Sequence, residues 1–207
     1  MNRKPKTAII FDLDDTLLRT SEAVAPHALE NVRKVMARLV PEATAQRILA
    51  RREEVGLAEA IAAERLPTHV ARTILDAYIA PLDEPFAYED IATLDDLKKT
   101  CTLFLVTHGV ETYQQDKIAL HDLGRHFTRI VITDENKKTV FRRLIEKEHL
   151  DPKRTFVVGD KYTDELVAAI AVGCTPILIA RKKGSHAPKN MRIIVSLREL
   201  AHIVETQ

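Results

Sequence analysis

Two patterns of apolar positions divide the chain. Ala8 to Phe11 is a continuous apolar run, as expected for a strand buried on both faces. From about Thr20 to Pro81 strand-like runs are few, and Ala, Glu, Arg and Leu dominate. Leu29, Val32, Met36 and Leu39 recur there at helical spacing, and Pro41 ends the segment. Ile48 and Leu49 mark a second short helix, closed by Gly56, and Leu57, Ala60 and Ile61 mark a third. Pro67-Thr68 opens a fourth, with an apolar stripe of Val70, Ile74, Leu75, Tyr78 and Ile79, ended by Pro81 and Pro85. The pattern predicts a small helical bundle inserted directly after the first strand.

From Ile91 onward strand and helix alternate. Asp90 to Lys99 predicts a helix, and Cys101 to Val106 a second buried strand that runs into Thr107-His108-Gly109. Glu111 to Leu123 predicts a helix stopped by Gly124. Ile130 to Ile132 is a short strand, and Lys138 to Leu150 a helix with Phe141, Leu144 and Ile145 inward. Thr155 to Val158 is a fourth strand ending in Gly159-Asp160, followed by a helix from Thr163 to Val172. Ile177 to Ile179 and Ile193 to Val195 complete the strands, and Ser196-Leu197-Arg198-Glu199 reads as a capping box for a last helix. Apolar strands alternating with helices imply an α/β fold, a parallel sheet covered on both faces.

Composition narrows the class. A chain of 207 residues with 45% hydrophobic content suits one well-buried domain plus an insert. Net charge is +1 with both signs interspersed, which gives no electrostatic case for nucleic acid. No apolar run approaches the roughly 20 residues of a membrane helix, and the run after the basic start is too short for a signal peptide. Cys101 and Cys174 have no metal-like spacing and suggest buried thiols in a reducing compartment. The expectation is a soluble, cytoplasmic protein.

The candidate chemistry follows the strands, where open α/β sheets place ligands. The first strand ends in Asp12-Leu13-Asp14, and two carboxylates at that spacing share a face of an extended chain. At 4 Å they would repel by about 4 kcal/mol at an effective dielectric of 20. A divalent cation, a shared proton or a basic side chain would offset this, unless the stretch is an Asp-rich turn that caps a helix. The second strand leads to Thr107 and Gly109, and the third to Asn136-Lys137-Lys138. The fourth leads to Asp160 and Asp164, which would share a face at the start of a helix. A nucleophilic carboxylate, a hydroxyl donor, a lysine and further carboxylates are what phosphoryl transfer uses.

These residues carry a family resemblance. Phe11-Asp12-Leu13-Asp14-Asp15-Thr16-Leu17 closely resembles the first motif of the haloacid dehalogenase superfamily. Val106-Thr107-His108-Gly109 is similar to its second, and Val158-Gly159-Asp160-Lys161-Tyr162-Thr163-Asp164 to its fourth. The resemblance spans the chain in order. It implies a Rossmann-like core, residues 1–18 and 85–207, and a helical cap of the C1 type, residues 19–84. It implies Mg²⁺-dependent hydrolysis of a small phosphorylated metabolite through an aspartyl-phosphate. Asp12 resembles the nucleophile, and Asp14 the acid/base that the dehalogenating branch lacks. Asp160 resembles the metal ligand, joined by Asp12 and the Asp14 carbonyl, with Asp164 an outer ligand or a hydrogen-bond acceptor behind the ligands. Thr107, His108 and Gly109 would bind the phosphoryl group.

Two departures stand out. His108 occupies a position where the family usually has Asn, so it is either a backbone donor only or an added titrating group. Lys137 and Lys138 both fit the motif lysine, and the spacing to Phe141 favours Lys137. Two other functions use the same residue types. One is a phosphomutase of the same family, and the other a signalling protein phosphorylated on Asp12 without turnover.

Overall fold

The computed structural model describes residues 6–55, 57–79, 82, 84–181 and 188–205. Gly56 and Pro81, expected to close helices, lie outside the described residues. The chain divides into two compact units after Arg19 and before Glu84.

The larger unit is built on one parallel sheet of β1 (Ala8–Phe11), β2 (Thr102–His108), β3 (Arg129–Thr133), β4 (Thr155–Gly159), β5 (Thr175–Ile179) and β6 (Arg192–Ile194). The order is β3-β2-β1-β4-β5-β6, with every pair parallel. β1 pairs with β2 on one side and β4 on the other, Phe11 lying opposite both Leu105 and Val158. The chain winds outward from β1 to β3, then crosses back to β4. The switch point between β1 and β4 is where such sheets open a crevice for ligands. Ile10, Phe104, Val106, Val157 and Leu178 point to one face and pack against Phe141, Leu144 and Leu166. Ile9, Phe11, Leu105 and Val158 point to the other and are equally buried.

The insert is helical throughout its regular structure: α1 (Thr20–Ala23), α2 (Ala25–Leu39), α3 (Glu42–Val55), α4 (Leu57–Ala63) and α5 (Thr68–Asp76). Val32, Met36, Ile48, Ala60, Ile61 and Ile74 form its core. Tyr78 and Ile79, expected on the fourth apolar stripe, lie beyond the end of α5 and are exposed.

The remaining helices are α6 (Thr93–Thr100), α7 (Glu111–Leu120), α8 (Lys137–Lys147), α9 (Val167–Ala171) and α10 (Arg198–Glu205). Several helix ends differ from the sequence reading: α6 begins at Thr93, after a 3₁₀ turn, rather than at Asp90, and α8 stops at Lys147 rather than Leu150. α7 stops before Gly124, because Asp122 takes the left-handed conformation, φ 49°, and Gly124 falls inside a short 3₁₀ turn. The helix expected from Thr163 is interrupted. Tyr162–Leu166 forms a π turn, in which the Val167 N–H reaches the Tyr162 carbonyl, and only Val167–Ala171 is α-helical.

Two local devices hold the loop after β1. Leu18 pairs antiparallel with Ala87, Arg19 N–H donates to the Phe86 carbonyl at 2.9 Å, and Tyr88 N–H donates to the Leu17 carbonyl at 3.1 Å. Arg181, just after β5, donates to the Thr16 carbonyl and to both oxygens of the buried Asp90. Asp90 also accepts from the Ser196 hydroxyl and the Leu197 N–H at 2.8 Å each. Burial alone would raise the Asp90 carboxyl, but Arg181, Leu197 and Ser196 outweigh it and hold it below the ordinary range. The capping box is half formed as expected, with Glu199 accepting from the Ser196 N–H at 3.0 Å. No helix among the described residues is long and apolar enough to cross a membrane.

Candidate active site

Asp12 leaves the end of β1 with its N–H bonded to the Val158 carbonyl at 3.0 Å, so the sheet ladder fixes its backbone. Its Oδ1 accepts from Lys137 Nζ at 2.8 Å. Lys137 is the first residue of α8, where Asn136 caps the helix by accepting from the Lys138 N–H. The Lys137 side chain is buried and also meets Glu165 Oε2 and Asp164 Oδ2, each at 3.1 Å. Burial alone would lower the Lys137 ammonium, but Asp12, Glu165 and Asp164 together hold it above its ordinary value.

Glu165 sits where the π turn puts it. In an α-helical start Asp160 and Asp164 would share a face, as the sequence suggests. Asp160 instead precedes the turn, with Lys161 extended between them, and Glu165, inside the turn, lies beside Asp160. Oxygens of Asp12, Asp160 and Glu165 lie within 4.8 Å of one another. The other oxygen of Glu165 accepts from the Lys161 N–H at 2.8 Å. A Cβ on Gly159 would stand 2.3 Å from Glu165 Cγ, so a glycine there is what lets the buried carboxylate in. Burial pushes the Asp12 carboxyl up to about 8 against the pull of Lys137, with Glu165 and Asp14 adding to the rise. Burial and Glu165 push Asp160 to about 6. The four carboxyl groups of Asp12, Asp160, Asp164 and Glu165 outnumber the ammonium groups beside them, those of Lys137 and Lys161.

Asp14 turns to different partners. Its Oδ1 accepts from Lys117 Nζ at 2.9 Å and its Oδ2 from Gln114 Nε2 at 3.0 Å, both on α7. The repulsion expected between Asp12 and Asp14 is thus met by a separate lysine on each. Gln114 Nε2 also donates to Thr107 Oγ1 at 2.6 Å and to the His108 carbonyl at 2.9 Å.

Comparison with known proteins places the chain in a family. A family model described as "Haloacid dehalogenase-like hydrolase" matches residues 9–179. The chain belongs to this family. A curated relative is 23% identical over 96% of this chain and 98% of its own length, the glyceraldehyde 3-phosphate phosphatase of Methanothermobacter thermautotrophicus. Two solved structures, each 18% identical with a TM-score of 0.68, cover 97% of this chain, and each is covered over 99% of its own length. They are the putative HAD-hydrolase YfnB of Bacillus subtilis bound to magnesium and a 2-haloacid dehalogenase of Pseudomonas syringae pv. Tomato DC3000. At that identity they show the fold.

In this haloacid dehalogenase-like hydrolase the motif residues fall around the carboxyl ends of β1, β2 and β4. Asp12, Asp160, Lys137 and Asp164 form one connected group, and Asp14 and Thr107 a second, joined through Gln114. Asp164 lies on Lys137 rather than among the three clustered carboxylates, and its Oδ2 is 3.9 Å from His108 Nδ1. His108 Nε2 lies 2.7 Å from the Glu135 carbonyl, which anchors the ring on the loop after β3. Lys138 is exposed, and among the described residues its side chain has no hydrogen-bond or ion-pair partner. The sequence reading did not include Gln114, Lys117 or Glu165. The signal for the first two was a polar stripe where α7 should face the core, since Gln114, Lys117 and Ile118 are its buried residues. Glu165 had no such signal at α-helical spacing. The clustered donors are all oxygens, the hard ligands that Mg²⁺ takes, and their surplus of negative charge fits a divalent cation.

Proposed function

We propose that this hydrolase is a Mg²⁺-dependent phosphatase that cleaves a small phosphomonoester through an aspartyl-phosphate on Asp12. The observation that carries the reading is the pair of carboxylates two residues apart with separate partners. Asp12 lies on Lys137, and Asp14 lies on Lys117 and Gln114. Two environments suit two roles. A phosphoester leaving group is an alkoxide that needs a proton, whereas a halide leaves without one. An acid at position 14 therefore favours ester cleavage over carbon–halogen cleavage. The relative named as a phosphatase of a small phosphorylated aldehyde supports the same class.

In the first step an Asp12 carboxylate oxygen attacks phosphorus in line, the ester P–O bond breaks, and Asp14 gives its proton to the departing oxygen. In the second, Asp14 takes a proton from water, whose oxygen attacks phosphorus and frees Asp12 and inorganic phosphate. Lys137 neutralises charge on the phosphoryl oxygens, and the Thr107 hydroxyl and the His108 N–H bind them, the Gly109 N–H being turned to the Thr133 carbonyl at 3.4 Å. Asp164 and Glu165 hold Lys137 in place. Asp12, Asp160 and the Asp14 carbonyl are the groups that would hold Mg²⁺. When bound, the ion supplies positive charge against which a dianionic phosphoryl group and an anionic nucleophile can approach. The helical insert is assigned as a cap that selects the substrate.

The test is phosphate release from an aryl phosphate and from a panel of small phosphomonoesters that includes glyceraldehyde 3-phosphate. Release with many turnovers per chain is expected with Mg²⁺, none after EDTA, and essentially none from Asp12→Asn, whose amide cannot form the acyl-phosphate. Release that survives exhaustive chelation would overturn the metal assignment. Halide release from a 2-haloacid without phosphate release would replace the phosphatase reading. A single phosphorylation of Asp12 that never turns over would make the chain a signalling protein.

A further inference from the structure

Helix α7 carries two buried polar side chains that the steps above leave without a role. Gln114 is 2% exposed and Lys117 3%, and their i, i+3 spacing puts them on one face. Lys117 holds one oxygen of Asp14 and Gln114 the other. The same Gln114 nitrogen meets Thr107 Oγ1 at 2.6 Å and the His108 carbonyl at 2.9 Å.

The partners settle which end of the Gln114 amide faces them. The main-chain carbonyl of His108 can only accept a hydrogen bond, whichever protonation state Asp14 is in. An amide oxygen in that position would oppose its lone pairs, so the NH₂ end faces the three oxygens. An NH₂ group cannot accept. Its two protons are shared among the three oxygens, so the Thr107 hydroxyl turns a lone pair to Nε2 and must direct its own proton elsewhere. Among the described residues it meets the His108 carbonyl, at 3.5 Å, well beyond an ordinary O–H···O bond. Gly109 shows that the amide's place is built in. Its φ is +144°, and a Cβ there would come within 3.1 Å of Gln114 Cγ and Cδ and 3.3 Å of Nε2. Any other residue would crowd the side chain that orients Thr107.

We propose that Gln114 is a positioning residue that fixes the Thr107 hydroxyl as a donor toward the phosphoryl group and, opposite Lys117, ties it to the Asp14 carboxylate. One amide then sets both the polarity of the binding hydroxyl and the aim of the acid/base. Glutamine suits this because its NH₂ end offers protons and no lone pair. A glutamate at the same place would accept the Thr107 proton and turn the hydroxyl away from the substrate. The inference rests on the phosphatase reading of the same site.

A four-protein cycle tests it: wild type, Gln114→Met, Thr107→Val and the double variant. For each, kcat and KM are measured with an aryl phosphate and saturating Mg²⁺, inorganic phosphate affinity by calorimetry, and folding by thermal unfolding. Each single change should lower kcat/KM by about 10²-fold. The double variant should fall well short of the product of the two single losses, because the part of the Gln114 effect that runs through Thr107 is already gone and only the part that runs through Asp14 remains. Phosphate affinity should show the same non-additivity. Should Gln114→Met fail to fold, Gln114→Glu keeps the side-chain size, and the same coupling is expected. Losses that multiply in the double variant, or a Gln114→Met enzyme within threefold of wild type, would overturn the inference. If wild type releases phosphate from no ester, the phosphatase reading fails, and the phosphate-affinity cycle still decides the orientation of the hydroxyl.

Discussion

Lys137 and Lys138 are chemically identical neighbours, and one helical step separates their fates. Asn136 caps α8, so Lys137 becomes its first residue and projects back onto Asp12, while Lys138 faces solvent. Lys137→Ala should therefore cost about 10²-fold or more in kcat/KM, and Lys138→Ala less than about threefold. Steady-state kinetics on the two variants checks this, and the opposite ranking would move the role to Lys138. That Lys137 rather than Lys138 turns inward was legible in the sequence because Phe141 is an inward position of α8, one turn on. The partners of Asp14 were not. A Gln and a Lys on a helix read as solvated side chains until the fold shows that their face meets the end of β1. His108 was legible only as a position. Its ring reaches the Glu135 carbonyl, a contact across two loops that no spacing along the chain predicts.

At the scale of elements, strands were more legible than helix ends. Continuous apolar runs marked the strands because both faces of a parallel sheet are covered, and the predicted limits hold to within about two residues at each end. Helix ends depend on local backbone choices that composition does not force. Asp122 takes a left-handed turn that a glycine usually makes, so the expected stop at Gly124 moved forward. The π turn at Tyr162–Leu166 is the larger case. One residue more than an α-turn holds is fitted between Tyr162 and α9, and Glu165 lies inward on this turn. It also makes Gly159 a packing requirement. Gly159→Ala would force Cβ against a carboxylate pinned by Lys137 and the Lys161 N–H. Overpacking of this kind costs about 1–3 kcal/mol, or roughly 2–12 °C in melting temperature for a chain of this size. Calorimetry should show that loss together with reduced turnover. Gly124→Ala, with nothing within 4 Å of its new Cβ, should melt like the wild type.

At the scale of the whole molecule, the division into two units was legible from the change of period, since helical spacing alone fills the region between the first strand and the next. The strand order was implied only as a class. Nothing along the chain says that β4 returns to the far side of β1, yet this crossing places Asp160 beside Asp12. The join between the units has a consequence for engineering. Because Leu18 lies across from Ala87 and Arg19 bonds to Phe86, the two points where the insert leaves and returns already form the mouth of a β-hairpin, about 5 Å wide. Such a mouth is a socket. An Asn-Gly turn joining Arg19 directly to Phe86 should close it without strain, and the shortened chain should keep cooperative unfolding by circular dichroism. Loss of a cooperative transition would mean that the sheet needs the insert to fold. If the transition survives, the same socket should take any folded module whose own ends lie a strand's width apart, which would make substrate choice an exchangeable part.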